Sequence, residues 1–194
     1  KFLPVYVFTG EERGLLVQYL SDIKKCFKNV VEDSSLSEVA NDTSFNTLWG
    51  GKKLYILNNT DFFNKTATDE EIMMLVKLYK QKSNTVIFVE TNINNTYKQT
   101  KSLGEESVVE FKKLSQDAIE RIVKQIMKVS KKKFAEEDEK VAPAFIADLC
   151  NYDYTTVLNE MHKLVSTDAE VITIKDIKRT VTRSTYAVVF DLIE

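Results

Sequence analysis

Short, unbroken apolar runs alternate with helix-period patterns through the first half of the chain. This alternation constrains the fold more than any other feature. Residues 4–8, 29–31, 54–57, 85–89 and 108–111 read as strands. Residues 12–27, 35–42 and 69–81 between them read as helices, the last with Ile72, Leu75, Val76 and Tyr79 on one stripe. Strands that are apolar throughout must be covered on both faces, which is the condition of a parallel sheet with helical crossovers. The expectation is an α/β domain built on a five-stranded parallel sheet.

The strand signal is expected to stop after Lys113. Ser115 is a good N-cap, and Ala118, Ile119, Ile122, Val123, Ile126 and Met127 then recur at helical spacing. Further helices carry Val141, Phe145, Ile146 and Leu149, then Tyr154, Val157, Leu158, Met161, Leu164 and Val165, and finally residues 174–181. The organisation expected is an α/β domain over 1–114, a small helical-bundle domain over 115–183, and over 184–194 the first turns of a further helical domain. Two chain ends support that last expectation. The sequence starts at Lys1 and stops within Tyr186-Ala187-Val188-Val189-Phe190-Asp191-Leu192-Ile193-Glu194, an apolar-faced helical pattern.

Charge is abundant but balanced, 27 Lys+Arg against 29 Asp+Glu. That balance argues against nucleic acid as the main partner, because neutralising phosphates requires a basic surplus. No apolar run approaches the ~20 residues that span a bilayer, so no membrane role is expected. Cys26 and Cys150 have no partner at ligand spacing and read as buried thiols of a reducing, cytoplasmic setting. No metal site and no cofactor are expected.

An α/β domain followed by a helical domain raises the question of a nucleotide site. A phosphate-binding loop needs G-x-x-x-x-G-K-[ST] after the first strand. The turn here is Thr9-Gly10-Glu11-Glu12-Arg13-Gly14-Leu15-Leu16. Gly10 and Gly14 are one residue too close, and leucines replace the Lys and Ser/Thr. Glu11 and Glu12 would repel phosphate, leaving Arg13 as the one cation. Asn58 and Asn59 follow the third strand, where an ATPase would place carboxylates. These residues read as a degenerate, non-functional nucleotide site, and no catalytic residue is predicted. His162, the single histidine, reads as structural, and Glu136-Glu137-Asp138-Glu139 as a solvated helix start. Lys131-Lys132-Lys133 reads as a linker with, at most, a weak contact to a DNA backbone.

One segment stands apart. In Ser44-Phe45-Asn46-Thr47-Leu48-Trp49-Gly50-Gly51-Lys52, two large apolar side chains are adjacent and a glycine pair follows. Neighbours in a helix point about 100° apart, so one core cannot easily hold both. Glycines permit a tight turn that presents them at a loop tip. Leu48 and Trp49, flanked by Phe45 and Thr47, are therefore candidate interface anchors. The competing reading of Trp49 as a core anchor follows from the usual burial of large aromatics.

The chain resembles the delta subunit of the bacterial DNA polymerase III clamp loader, a nucleotide-free member of the AAA+ fold. The resemblance rests on Val5-Tyr6-Val7-Phe8-Thr9-Gly10-Glu11-Glu12, Leu48-Trp49-Gly50-Gly51-Lys52-Lys53-Leu54 and Val108-Val109-Glu110-Phe111-Lys112-Lys113-Leu114-Ser115. It continues in Leu158-Asn159-Glu160-Met161-His162-Lys163-Leu164 and Val189-Phe190-Asp191-Leu192-Ile193. It implies that Leu48-Trp49 stands where the family places an apolar pair, usually Leu-Phe, that enters the pocket of the sliding (beta) clamp and helps open the ring. It implies partner subunits, gamma/tau and delta prime, engaged mainly through a collar domain beginning near Thr185. It implies no ATP hydrolysis by this subunit and at most indirect or weak contact with DNA. Two other readings stay open from the residues alone: a degenerate nucleotide hydrolase, and an AAA-like adaptor, bacterial or phage-encoded, that binds a clamp or other replication partner without loading it.

Overall fold

The computed structural model describes residues 2–42, 52–81 and 83–182. The described chain forms two compact units, Lys1–Lys113 and the part from Leu114 onward.

The first unit carries strands β1 (Val5–Thr9), β2 (Asn29–Glu32), β3 (Lys53–Asn58), β4 (Thr85–Val89) and β5 (Val108–Glu110). They form one sheet in the order β2-β3-β4-β1-β5, and every pairing is parallel. The first strand therefore lies beside the fourth, with Val5 opposite Val86 and Phe8 opposite Val89. The helices are α1 (Arg13–Lys24), α2 (Leu36–Asp42), α3 (Asp69–Lys80) and the short α4 (Lys98–Lys101), with a 3-10 turn at Glu105–Ser107.

The apolar strands are sorted by their period of two. Val5, Val7, Tyr55, Leu57, Val86 and Phe88 pack into one core with Val39 of α2 and Leu75 and Leu78 of α3. Phe8, Leu54, Ile56, Ile87 and Val89 pack into the other with Leu16, Leu20 and Ile23 of α1. Every side chain of β4 is buried, as a central strand covered on both faces requires. The stripe of α3 is rotated from the sequence reading. Leu75 and Leu78 are the buried pair and Val76 is exposed, because the core contacts the helix on the side that Leu78 shares with Leu75. The helix opens with a capping box: the Thr68 hydroxyl accepts from the Glu71 amide, and the Glu71 carboxylate accepts from the Thr68 amide.

The second unit carries α5 (Gln116–Val129), α6 (Ala142–Leu149), α7 (Tyr154–Val165) and α8 (Ile174–Thr180). Ser115, Asp153 and Thr173 cap three of them through their side chains. Ile119, Val123, Met127, Ile146, Val157, Met161, Leu164 and Ile177 are buried.

Strands do not stop at Lys113. β6 (Lys133–Phe134) pairs in parallel with β7 (Val171–Ile172). Two-residue strands carry no periodicity, which is why the sequence hides them. Lys133 is thus a strand residue and not linker. Asp138 also departs from the reading of a merely solvated acidic run, since its Oδ2 accepts from the Ile174 amide at 2.8 Å. Cys150 is buried but Cys26 is exposed, against the expectation of two buried thiols. Burial raises the Cys150 thiol to about 12, with Glu160 and Asp153 adding to the shift.

Candidate functional site

Two places in the first unit carry the residues singled out from the sequence. The first is the turn after β1. The sheet order makes the carboxyl end of β1 the place where chain connections diverge, which in open α/β sheets is where ligands bind. An open cleft of about 930 Å³ lies there, lined by Thr9, Gly10, Glu11 and Arg13 and, across from them, by Thr91, Asn92, Leu103 and Glu105.

The turn is closed on itself. Gly10 has φ +124°, and a Cβ at this position would lie 2.3 Å from the Phe111 carbonyl oxygen. Only glycine fits such an approach of two backbones. The Phe111 amide donates to the Thr9 carbonyl at 2.7 Å, and the Glu12 amide donates to the Phe111 carbonyl at 3.0 Å. The Arg13 amide donates to Glu11 at 2.9 Å. A phosphate cradle requires turn amides directed at the ligand; the Glu12 and Arg13 amides are engaged inside the protein. The Arg13 guanidinium donates to the Glu90 carbonyl at 3.2 Å. Glu11, Glu105 and Glu110 give the cleft an acidic rim.

Of the predicted degenerate-site residues, Gly10, Glu11 and Arg13 line this cleft, whereas Glu12, Gly14, Asn58 and Asn59 are not among its lining residues. Glu12 is buried. Asn58 is exposed and its Nδ2 donates to the Asp33 carboxylate at 2.9 Å, toward β2 and away from β1. Asn59 stands in the left-handed region at φ 49°, its amide donating to the Val89 carbonyl at 2.9 Å.

Glu90-Thr91-Asn92 stand in the sequence where a nucleotide sensor could sit and, with no phosphate loop to serve, read as a strand-end turn; Glu90 does more than end the strand. It is 1% exposed and follows β4 directly. Its carboxylate accepts from the Thr60 hydroxyl at 2.5 Å and the Thr60 amide at 3.2 Å, joining the ends of β3 and β4. Burial raises its pKa, and the Thr60 bonds only partly offset that. An acidic residue immediately after an entirely apolar strand was the available signal.

The second place is the entrance to β3, at the opposite, amino-terminal edge of the sheet. Phe45, Thr47, Leu48 and Trp49 lie outside the described residues. The residues on either side of the interval 43–51 are bound together. Lys53 Nζ pairs with Asp42 Oδ2 at 2.9 Å, and the same oxygen accepts from the Tyr55 hydroxyl. Asp42 is held below its usual carboxylate range by the Tyr55 hydrogen bond first and Lys53 second, while burial and that carboxylate push Tyr55 up. The Lys53 amide is fixed by Asn84 Oδ1 at 3.0 Å. Nothing in the sequence marks Asp42 and Lys53 as partners, eleven positions apart across an interval that has no regular pattern.

No protein-family model matches the sequence, and no curated protein matches it significantly. The fold does have relatives among solved structures. The DNA clamp loader delta protein of Bacillus subtilis superposes with a TM-score of 0.65 at 22% identity, over 98% of this chain and 61% of that one. Two structures of RuvB from Thermotoga maritima give TM-scores of 0.54 and 0.52 at 12% and 10% identity, each over 91% of this chain. The chain has an AAA+-type fold. It spans about three fifths of the length of the structures it resembles. Among the described residues, no three His, Cys, Asp or Glu side chains are grouped to hold a metal ion, and no helix is long and apolar enough to cross a membrane.

Proposed function

We propose that this chain is a clamp-loader delta-type subunit that binds a sliding clamp through Leu48 and Trp49 and favours the open ring during DNA replication in the cytoplasm. The observation that carries the proposal is the tie of Asp42 to Lys53 and Tyr55. It fixes both ends of the interval 43–51 at one place on the sheet edge, so a segment bearing an adjacent Leu-Trp pair leaves and rejoins a rigid base. The likeness in fold to the clamp loader delta protein of Bacillus subtilis supports the same reading.

The energetics are adequate. Burying Leu48 and Trp49 in a partner pocket is worth roughly 1.5–3 kcal/mol for each side chain. Two such anchors make a hot spot. Ring opening draws only on the difference in affinity between open and closed clamp, so the pair must fit the open form better. Partner subunits of the gamma/tau and delta prime type would supply ATP hydrolysis. The inward-bonded turn after β1, with leucines where Lys and Ser/Thr would hold phosphate and magnesium, supports a subunit that does not hydrolyse ATP itself.

The test is binding of the chain to the sliding clamp of its own host, wild type beside the Leu48→Ala, Trp49→Ala double variant, with circular dichroism on both. Binding by the wild type and its loss in a folded double variant is the expected result. A double variant that unfolds would make Trp49 a core residue and sink the interface reading. Equal binding by both proteins would place the interface elsewhere. Loading in a reconstituted system with partner subunits separates a loader from an adaptor that only binds the clamp.

A further inference from the structure

The second unit carries a cleft of about 670 Å³ whose lining includes Lys124, Lys128, Lys131, Lys132 and Lys133 over a floor of Met127 and Phe134, with Glu136 and Glu139 also on its rim. The chain as a whole carries a formal net charge of −2, so this concentration of cations is local. Among the described residues, Lys124, Lys128, Lys131 and Lys133 take part in no ion pair and all four are exposed. Lys132 is different: its ammonium donates to the carbonyl oxygens of Thr167 and Ala169, and it holds the cleft together.

We infer that this cleft binds the phosphate backbone of nucleic acid. Lys124 and Lys128 are one helical turn apart on α5, about 6 Å along its axis. Charges on one strand of a duplex recur about every 3.4 Å along its axis while the phosphates wind around it, so two ammonium groups this far apart reach separate phosphates of one strand. Lys131 extends the row past the helix end, where the Lys132 amide donates back to the Met127 carbonyl at 3.0 Å. Lys131 itself has φ 57°. That is the left-handed position closing a helix, where glycine is the unstrained choice. A lysine here adds to the cationic row at a position where its backbone is disfavoured. Lysines also complement the carboxyl end of a helix dipole, but that attraction falls off within the last turn. It does not account for Lys124, in the turn before, or for Lys133, in β6. The inference is independent of the clamp reading, since it rests on the second unit alone.

The test is fluorescence anisotropy of the whole chain with labelled oligonucleotides of about 16 nucleotides, single-stranded and duplex, at about 50 to 200 mM salt. Binding that weakens steeply with salt is expected. Replacing Lys124, Lys128 and Lys133 by Gln and Lys131 by Gly should weaken it at least ~10-fold and lower the salt slope by about 0.7 per lysine on single strands or 0.9 on duplex. Lys131→Gly alone separates binding from stability: affinity should fall while the melting temperature holds or rises. Changing Lys77 and Lys80 of α3 to Gln should leave affinity unchanged. Absence of binding by the wild type at low salt would overturn the inference. So would equal binding by the folded fourfold variant, or equal affinity for a poly-glutamate of matched charge.

Discussion

The turn after β1 and the entrance to β3 occupy opposite edges of one parallel sheet, and the same scaffold treats them differently. At the carboxyl edge the backbone bonds to itself: Gly10 is pressed against Phe111, and the amides of Glu12 and Arg13 are taken by carbonyl oxygens. At the amino edge the bonds are made by side chains, Asp42 to Lys53 and Tyr55, and they join the described residues on either side of an interval. A turn sealed by its own backbone has little left to offer a ligand. A tie between the flanks of a segment holds its two ends near one another. The contrast is what the proposed binding through Leu48 and Trp49 would require.

Four perturbations test the contrast. Gly10→Ala should have the largest effect, about 3 kcal/mol of lost stability, because it adds a Cβ against a carbonyl in a conformation that L-residues disfavour. Chemical denaturation measures it; a loss below about 1 kcal/mol would mean the turn can relax and is not sealed. Asp42→Ala should cost about 1 kcal/mol, since it removes a half-exposed ion pair and leaves the Tyr55 hydroxyl without its acceptor. Its effect on clamp affinity should exceed what that stability change explains, with Leu48 and Trp49 untouched. Unchanged affinity would detach the tie from the function.

The third perturbation is pH, and the two edges should respond with opposite sign. The Asp42 pKa is lowered in the folded state, so its contribution is present above the ordinary value of 3.8 and is lost as pH falls through the lowered one. The Glu90 pKa is raised by burial, so the folded state holds the proton more tightly and stability declines as pH rises from the ordinary 4.5 through the raised value. Denaturation midpoints followed against pH should therefore show Glu90→Gln gaining on the wild type as pH rises across that window, with little difference below it. A constant gap would remove the buried-carboxyl account. The smallest expected effect is that of nucleotide: millimolar ATP or ADP with magnesium should leave the melting temperature unchanged. A clear upward shift would reopen the cleft as a nucleotide site.

The sheet was legible because its strands are apolar on both faces, and residues 85–89 were delimited to the residue by the polar positions flanking them. The cap at Ser115 was legible because a hydroxyl before an apolar-periodic run has few other uses. β6 and β7 were not legible, since two residues cannot show a period. α4 escaped for a related reason: Lys98–Lys101 is a single turn without an apolar face. At the candidate sites, the loss of phosphate chemistry in the turn after β1 was readable from Leu15 and Leu16. The closing of that turn on Phe111 was not, because it joins residues a hundred positions apart in the chain. The Asp42–Lys53 tie was invisible for the same reason on a smaller scale, and the buried carboxyl of Glu90 was overlooked in favour of a strand-end turn.

The tie at the sheet edge also bears on how such a protein can change over time. Asp42, Lys53 and Tyr55 hold together the described residues that flank the interval 43–51. Lengthening an interval of this kind is thermodynamically mild, about 0.6 kcal/mol for each doubling. On the proposed clamp-binding reading, a transplanted segment 43–51 with a different apolar pair would retarget the molecule while the sheet beside it stays the same.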